Sequence, residues 1–241
     1  MITLQKIILL SLSDFRQILR EQLLWVMFIV APTLQFLTAL WLIPYLIGQF
    51  PVLDGYQSLM VSALSLQVVT GIGFVIAMML LDEKDDDVLT AIRVLPLGAR
   101  YFLTYRLLAA TFIAFIFCFV MLYYSRLISI SLGQALGGAG LFSLLSPMVT
   151  LFMSTFGDNK VEGLAMFKGI NLVLLIPIVS FFLPPGWHYL LGFIPDFWSF
   201  HFVESAATAN SASWLNFIIG CLLHLLFIAC LYFQFRKRVF K

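Results

Sequence analysis

The chain is short of charge. Of its 241 residues only 11% are Asp, Glu, Lys or Arg, whereas 62% are hydrophobic; an average soluble domain carries about 25% charged residues. A water-exposed fold of this size has nowhere to hide so much apolar surface, which excludes a soluble protein. The sequence also lacks a GxxxxGK[ST] stretch, the loop whose backbone cradles nucleotide phosphates, so the chain cannot grip ATP by that route. Its three cysteines, Cys118, Cys221 and Cys230, form no CxxC pair and read as small apolar packing residues, not as a disulfide or metal set. No cleavable leader is expected: Lys6, Asp14, Arg16, Arg20 and Glu21 interrupt the first apolar residues, which an h-region does not tolerate.

What is present instead is a series of long apolar runs. Six are long enough to cross a bilayer: Leu23–Ile47, Gln57–Leu81, Leu107–Ser125, Leu127–Phe156, Gly169–Leu183 and Ser213–Phe235. The fourth is long enough to tilt or bend, and Pro147 supplies the bend. With both termini inside, the inner segments 1–22, 82–106, 157–168 and 236–241 hold thirteen of the fourteen Lys and Arg residues, leaving Arg126 outside. That bias fixes the orientation and supports an even number of spans. The net charge of +2 marks topology and implies no nucleic acid. The expected fold is an all-α integral membrane domain of six transmembrane helices over 1–241, with N- and C-termini cytoplasmic.

Three smaller elements complete this reading. On a helical wheel, Leu4, Ile7, Ile8, Leu12, Phe15, Ile18 and Leu19 share one face and Lys6, Ser13, Asp14, Arg16, Gln17, Arg20 and Glu21 the other. This predicts an amphipathic interfacial helix within 1–22, the alternative being a simple extension of the first span. The outer segment 184–212 is split by Pro195 and crowded with aromatics, which predicts two short helices, roughly 186–193 and 196–207, forming a re-entrant hairpin. Gly133, Gly137 and Gly140 form a small-residue stripe in span 4 that permits close helix contact.

The span interiors contain no Asp, Glu, Lys or Arg, and His224 is their one titratable group apart from tyrosines and cysteines. Ion- and proton-driven carriers rely on intramembrane carboxylates or comparable relays, so a self-powered pump is not expected and the energy has to come from another subunit. Gln35 and Thr38 in span 1, Gln67 and Thr70 in span 2 and Asn171 in span 5 are polar groups that avoid lipid. They either line a translocation pathway or hydrogen-bond between helices. His188, Asp196, His201 and Glu204 could form an outer metal or catalytic set, with interfacial polar residues as the plainer account. No metal is assigned.

The segment between spans 2 and 3 stands apart. Asp82, Glu83, Lys84, Asp85, Asp86 and Asp87 precede a stretch in which Val88, Ile92 and Leu95 recur at i, i+4 and i+7, before Pro96. Acidic residues favour a helix amino end and proline stops it, so the spacing fits a short amphipathic helix at the inner surface; a solvated loop fits the topology equally. Leu81 to Asp85, Val88-Leu89, Ala91 to Arg93, Leu95-Pro96-Leu97 and Tyr101 to Arg106, together with Asn159, Lys160 and Glu162 in the turn before span 5, resemble the ABC-2 type transporter permease family. The compact bacterial permeases labelled as fluoroquinolone exporters are the nearest in kind. The resemblance covers nearly the whole chain, without the extracellular domain of larger relatives.

That resemblance implies a transmembrane subunit that dimerises with a second permease copy or homologue and docks on a cytosolic ABC ATPase. ATP and Mg would be bound by that partner, with no cofactor in this chain. Asp82 to Asp87, Val88, Ile92, Leu95 and Pro96 would form the main ATPase contact, within a coupling segment 82–100. Asn159, Lys160 and Glu162 would form a second contact. The implied function is ATP-driven efflux of an amphiphilic drug-like or lipid-like molecule from a bacterial or archaeal cytoplasmic membrane. The chain would then be no enzyme itself; its partners would be the ATPase, a second permease and membrane lipid. A membrane-embedded lipid-modifying enzyme and a non-transporting scaffold are the alternatives.

Overall fold

The computed structural model describes residues 4–86, 98–184, 186–210 and 213–239. Among these every regular element is helical. Helix α1 covers Leu4–Arg20. Helix α2, Gln22–Gln49, is the first of six helices long and apolar enough to cross a membrane. The others are α3 (Gln57–Asp85), α4 (Gly98–Tyr124), α5 with α6 (Leu132–Ser143 and Leu145–Phe156), α7 (Lys160–Leu175, continued as a 3-10 turn over Ile176–Phe182) and α9 (Ser213–Val239). Between α7 and α9 lie a 3-10 turn, Trp187–Leu191, and helix α8, Pro195–Ala207. The six spans match the expectation from sequence, and the chain is a multi-pass membrane protein; where two short helices were expected, roughly 186–193 and 196–207, lie the 3-10 turn and α8.

The helices take different places because their faces differ. In α3, 89% of the most apolar stretch is buried; a helix that is apolar all round belongs in the centre. Close approach is what seats it there. A Cβ on Gly73 would come within 2.5 Å of the Ser146 carbonyl oxygen, so only glycine lets α3 lie against the start of α6. The Thr150 hydroxyl donates to the Gly73 carbonyl at 2.9 Å across the same contact. By contrast α2, α7 and α9 bury only 11–17% of theirs and form the lipid-facing perimeter. Helix α2 is irregular: π-turns at Val26–Val30 and Thr38–Leu42 each end two residues before a proline, Pro32 and Pro44, where the missing N–H loosens the ladder.

Several boundaries differ from the sequence reading. The fourth span breaks at Leu144, three residues before Pro147, because the proline ring conflicts with the carbonyl of Ser143 four residues earlier. The third span begins near Tyr101 and not at Leu107, which puts Arg106 inside the helix. The inner loop expected at 157–168 shrinks to 157–159, since α7 starts at Lys160. Asp82 to Asp85 are the last turn of α3 and not the beginning of a separate helix. The short helix expected over Val88, Ile92 and Leu95, with Asp87 and Pro96, lies outside the described residues. The glycine stripe of span 4 packs within the chain, through Gly137 and its neighbour Gly138 against Phe202; Gly133 and Gly140 face open space.

Candidate functional site

Acidic residues at the carboxyl end of a helix oppose the peptide dipole, so the acids at the end of α3 require cations, and the fold supplies three. Arg106 of α4, 2% exposed, donates from Nη1 and Nη2 to both carboxylate oxygens of Glu83 at 2.6 Å. Its Nη2 also reaches Asp14 of α1 at 2.8 Å, and its guanidinium lies 4.3 Å from the Phe102 ring centroid. Lys160, the first residue of α7, pairs with Asp82 at 2.8 Å and with Glu21 at 3.1 Å. Lys84 donates to the Gly157 carbonyl at 2.8 Å, satisfying a group freed at the end of α6, and pairs with Asp158 at 2.8 Å. In the exposed 157–159 turn, Lys84 holds the Asp158 carboxyl below the usual carboxylate range.

This network joins α1, α3, α4, α6 and α7 at one end of the bundle. Planar, bidentate Arg–carboxylate geometry is the strong form of such a pair, and Arg106 serves two carboxylates from a nearly dry position. Removing one member of a buried ion pair costs about 3–5 kcal/mol because the remaining charge loses its counterion. The last turn of α3 is therefore anchored in a stiff polar plate.

The expected contact residues divide accordingly. Asp82 and Glu83 turn inward and are spent within the network, while Asp85 and Asp86 are exposed beyond it. Asp87, Val88, Ile92, Leu95 and Pro96 fall outside the described residues. Asn159 caps α7 by accepting from the Glu162 N–H at 2.9 Å, and Glu162 reaches back to the Asp158 N–H at 2.9 Å. Asn159 and Glu162 thus set the start of α7, and Lys160 ties it to the plate.

Of the polar span residues, Gln67 and Asn171 exchange two hydrogen bonds, 3.3 and 3.2 Å, between α3 and α7. Thr70 is fully buried and its hydroxyl donates to the Leu66 carbonyl of its own helix at 2.8 Å. Thr38 does the same toward Leu34 at 2.8 Å. The buried Oε1 of Gln35 has no partner among the described residues.

The outer segment carries a second polar cluster. His201 Nδ1 lies 2.8 Å from Glu204 and its Nε2 3.0 Å from the Ser180 hydroxyl. Its ring stacks on Phe181 at 5.4 Å and lies 5.3 Å from His188. Among the described residues no three His, Cys, Asp or Glu converge to hold a metal. Asp196, expected beside these residues at an interface, is instead wholly buried at the start of α8, both carboxyl oxygens lacking a partner among the described residues. Helix α8 runs back along α9: Trp198 faces Gly220, and Asn216 bonds the His201 carbonyl at 3.2 Å. Its first residues are thus level with the middle of α9. The uncharged span interiors read from the sequence thus gain a carboxyl from outside the spans, because the segment between α7 and α9 buries Asp196 against them.

Sequence reasoning missed Arg106, Asp14, Gln17 and Glu21 as parts of one site. A signal existed for α1: Asp14, Gln17 and Glu21 recur at i, i+3 and i+7, a polar row that faces a partner. In the structure Gln17 donates to Asp82 at 3.3 Å, between the contacts of the other two.

The fluoroquinolones export permease family described as Rv2686c-like matches residues 14–232. Two proteins of Mycobacterium tuberculosis, fluoroquinolones export permease protein Rv2686c of strain ATCC 25618 / H37Rv and MT2760 of strain CDC 1551 / Oshkosh, are each 25% identical over 234 residues, covering 94% of this chain and 92% of theirs. No solved structure gives a significant match. Residue pattern, architecture and near full-length similarity agree, and the chain belongs to the Rv2686c-like family of fluoroquinolones export permeases.

Proposed function

We propose that this exporter permease is driven by a separate cytosolic ATPase, which pushes on the segment between α3 and α4 and so alternates access to a pathway for amphiphilic, drug-like molecules. One observation supports it above others. The last turn of α3 is clamped by Arg106 and Lys160 to α1, α4 and α7, so force on the adjoining segment moves four helices together. In this reading Asp85, Asp86, Asp87, Val88, Ile92, Leu95 and Pro96 meet the ATPase, and the Asn159 to Glu162 turn is a second contact. ATP and Mg sit on the partner. The termini and the ion-pair plate face the cytoplasm of a bacterium or archaeon, and a second permease completes the pathway. Gln35, Thr38, Gln67, Thr70 and Asn171 are proposed for that pathway; the Gln67–Asn171 bridge would open as α7 moves away from α3. Fluoroquinolones, named for the relatives, are the first cargo to test.

The test is transport in vesicles reconstituted with the ATPase. Replacing Val88, Ile92 and Leu95 by Asp should leave membrane insertion intact and separate ATP hydrolysis from efflux. Transport that persists after the triple change removes the mechanism.

The Ser180–His201–Glu204 arrangement favours one competing reading, a lipid hydrolase, since the order and spacing are those of a nucleophile, base and orienting acid. Ser180 is only 4% exposed, however, and its hydroxyl already donates to the Pro177 carbonyl, leaving no approach for an ester. Turnover by the purified chain without ATPase, lost in Ser180→Ala, would reinstate that reading.

A further inference from the structure

A cavity of about 570 Å³ lies between α6, α7 and α9, closed at one end by the turn before α8. Its floor is the buried Met148, Leu174, Ile194 and Pro195. Its rim includes exposed Val173 and Phe227, on the two spans that bury only 17% and 11% of their apolar stretches. The slot therefore opens sideways, toward the surroundings of the bundle and not toward its centre. The volume is that of an ordinary small-ligand site, and the lining stretch of α7, Met166 to Leu174, runs about 12 Å along the helix axis.

The two ends of the slot differ in chemistry. Toward the outer segment it is wholly apolar. At the other end stand Gln234 and Phe156, and the guanidinium of Arg238 lies 4.9 Å from the Phe156 ring centroid. Arg236 and Lys237 adjoin it in the last turn of α9. The acid that senses Arg238 is Asp158, which already holds Lys84 at 2.8 Å. The mouth is thus cationic. Gly169 lines the cavity, and a Cβ there would meet only open space, so a large side chain at this position has room to enter the slot.

We infer that this slot holds one acyl chain of an anionic phospholipid of the inner leaflet, with the headgroup phosphate at Arg238. An apolar groove facing lipid and ending in arginine at the membrane surface complements an acyl chain joined to a phosphate, as basic pockets between spans do. The inference does not depend on the transport mechanism.

Native mass spectrometry of the purified chain, equilibrated with phosphatidylglycerol or phosphatidylcholine of identical chains, tests it. Wild type should retain phosphatidylglycerol about fivefold better, the preference conferred by one cation near an anionic headgroup. Arg238→Gln should reduce phosphatidylglycerol to the phosphatidylcholine level, and Gly169→Phe should abolish retention of both. If Gly169→Phe does not fold, Cys230→Phe on the opposite wall fills the same space and carries the test. Equal retention of the two lipids by wild type, or undiminished retention after the slot is filled, overturns the assignment. So does displacement of phosphatidylglycerol by a fluoroquinolone, which would make the slot a cargo site, or a change of oligomeric state without lipid selectivity, which would make it a protein contact.

Discussion

At one end of the bundle Asp14, Asp82 and Glu83 each meet a cation within 2.8 Å; Arg106 joins acids of α1 and α3, and Lys160 joins α3 to Glu21 at the junction of α1 and α2. In the segment between α7 and α9, Asp196 is wholly buried, level with the middle of α9, and meets no cation among the described residues. There most joints are stacked rings and hydrogen bonds, such as Trp198 to the Gly192 carbonyl at 2.8 Å, and the His201–Glu204 contact joins residues of one helix only. Charge clamps the one region into a plate, while the other is held mainly by packing and carries a carboxyl without a counterion among the described residues. Under the proposed mechanism the difference suits a machine pushed where stiffness transmits force and rearranged where weaker joints yield.

The sharpest way to break this comparison is to remove Arg106. Arg106→Gln strands Glu83 and Asp14 in a nearly dry site, and the expected loss is about 3 kcal/mol or more, read as reduced resistance to denaturant in mild detergent. Adding Glu83→Gln and Asp14→Asn should recover part of it, since the stranded charges are then gone. A loss no larger than that of an exposed pair would mean the plate is not what holds this end.

A smaller effect of opposite sign is expected at Asp196. Asp196→Leu replaces a carboxyl that has no partner among the described residues by an apolar group of similar branching, and should raise stability by about 1 kcal/mol, the scale of relieving one buried unsatisfied group. Stability gained together with efflux lost would show that the carboxyl is kept for transport, as intramembrane acids commonly are. A clear loss of stability would place an unseen partner at Asp196 and erase the contrast between the two regions.

Much of this architecture was legible from residue pattern. Long uncharged runs and the Lys and Arg asymmetry gave six spans, because each depends on one segment and the bilayer alone. The proline-split aromatics gave two short elements between α7 and α9 for the same local reason. What was not legible depends on which segments meet. Arg106 falls outside a span drawn from its uncharged run alone, yet two carboxylates distant in sequence make its burial tolerable. Asp196 was placed at the surface because it lies between spans in sequence, whereas α8 folds back along α9. The Gln67–Asn171 bridge joins residues 104 apart, a pairing on which helical periodicity is silent.

The smallest expected effect refines the charged end itself. Lys84 and Asp158 differ from the Arg106 cluster in exposure: the Asp158 side chain is 80% accessible, so solvent screens most of the attraction. Because Lys84 lowers the Asp158 pKa in the folded chain, the contribution is complete above the unfolded carboxylate value and disappears as pH falls through the lowered folded one. Asp158→Asn should therefore cost little at neutral pH and nothing in acid. Lys84→Met should cost more, because it also leaves the Gly157 carbonyl at the end of α6 without its donor. If the two variants prove equal across that range, the ion pair and not the helix cap is what Lys84 contributes, and the plate extends to the exposed turn.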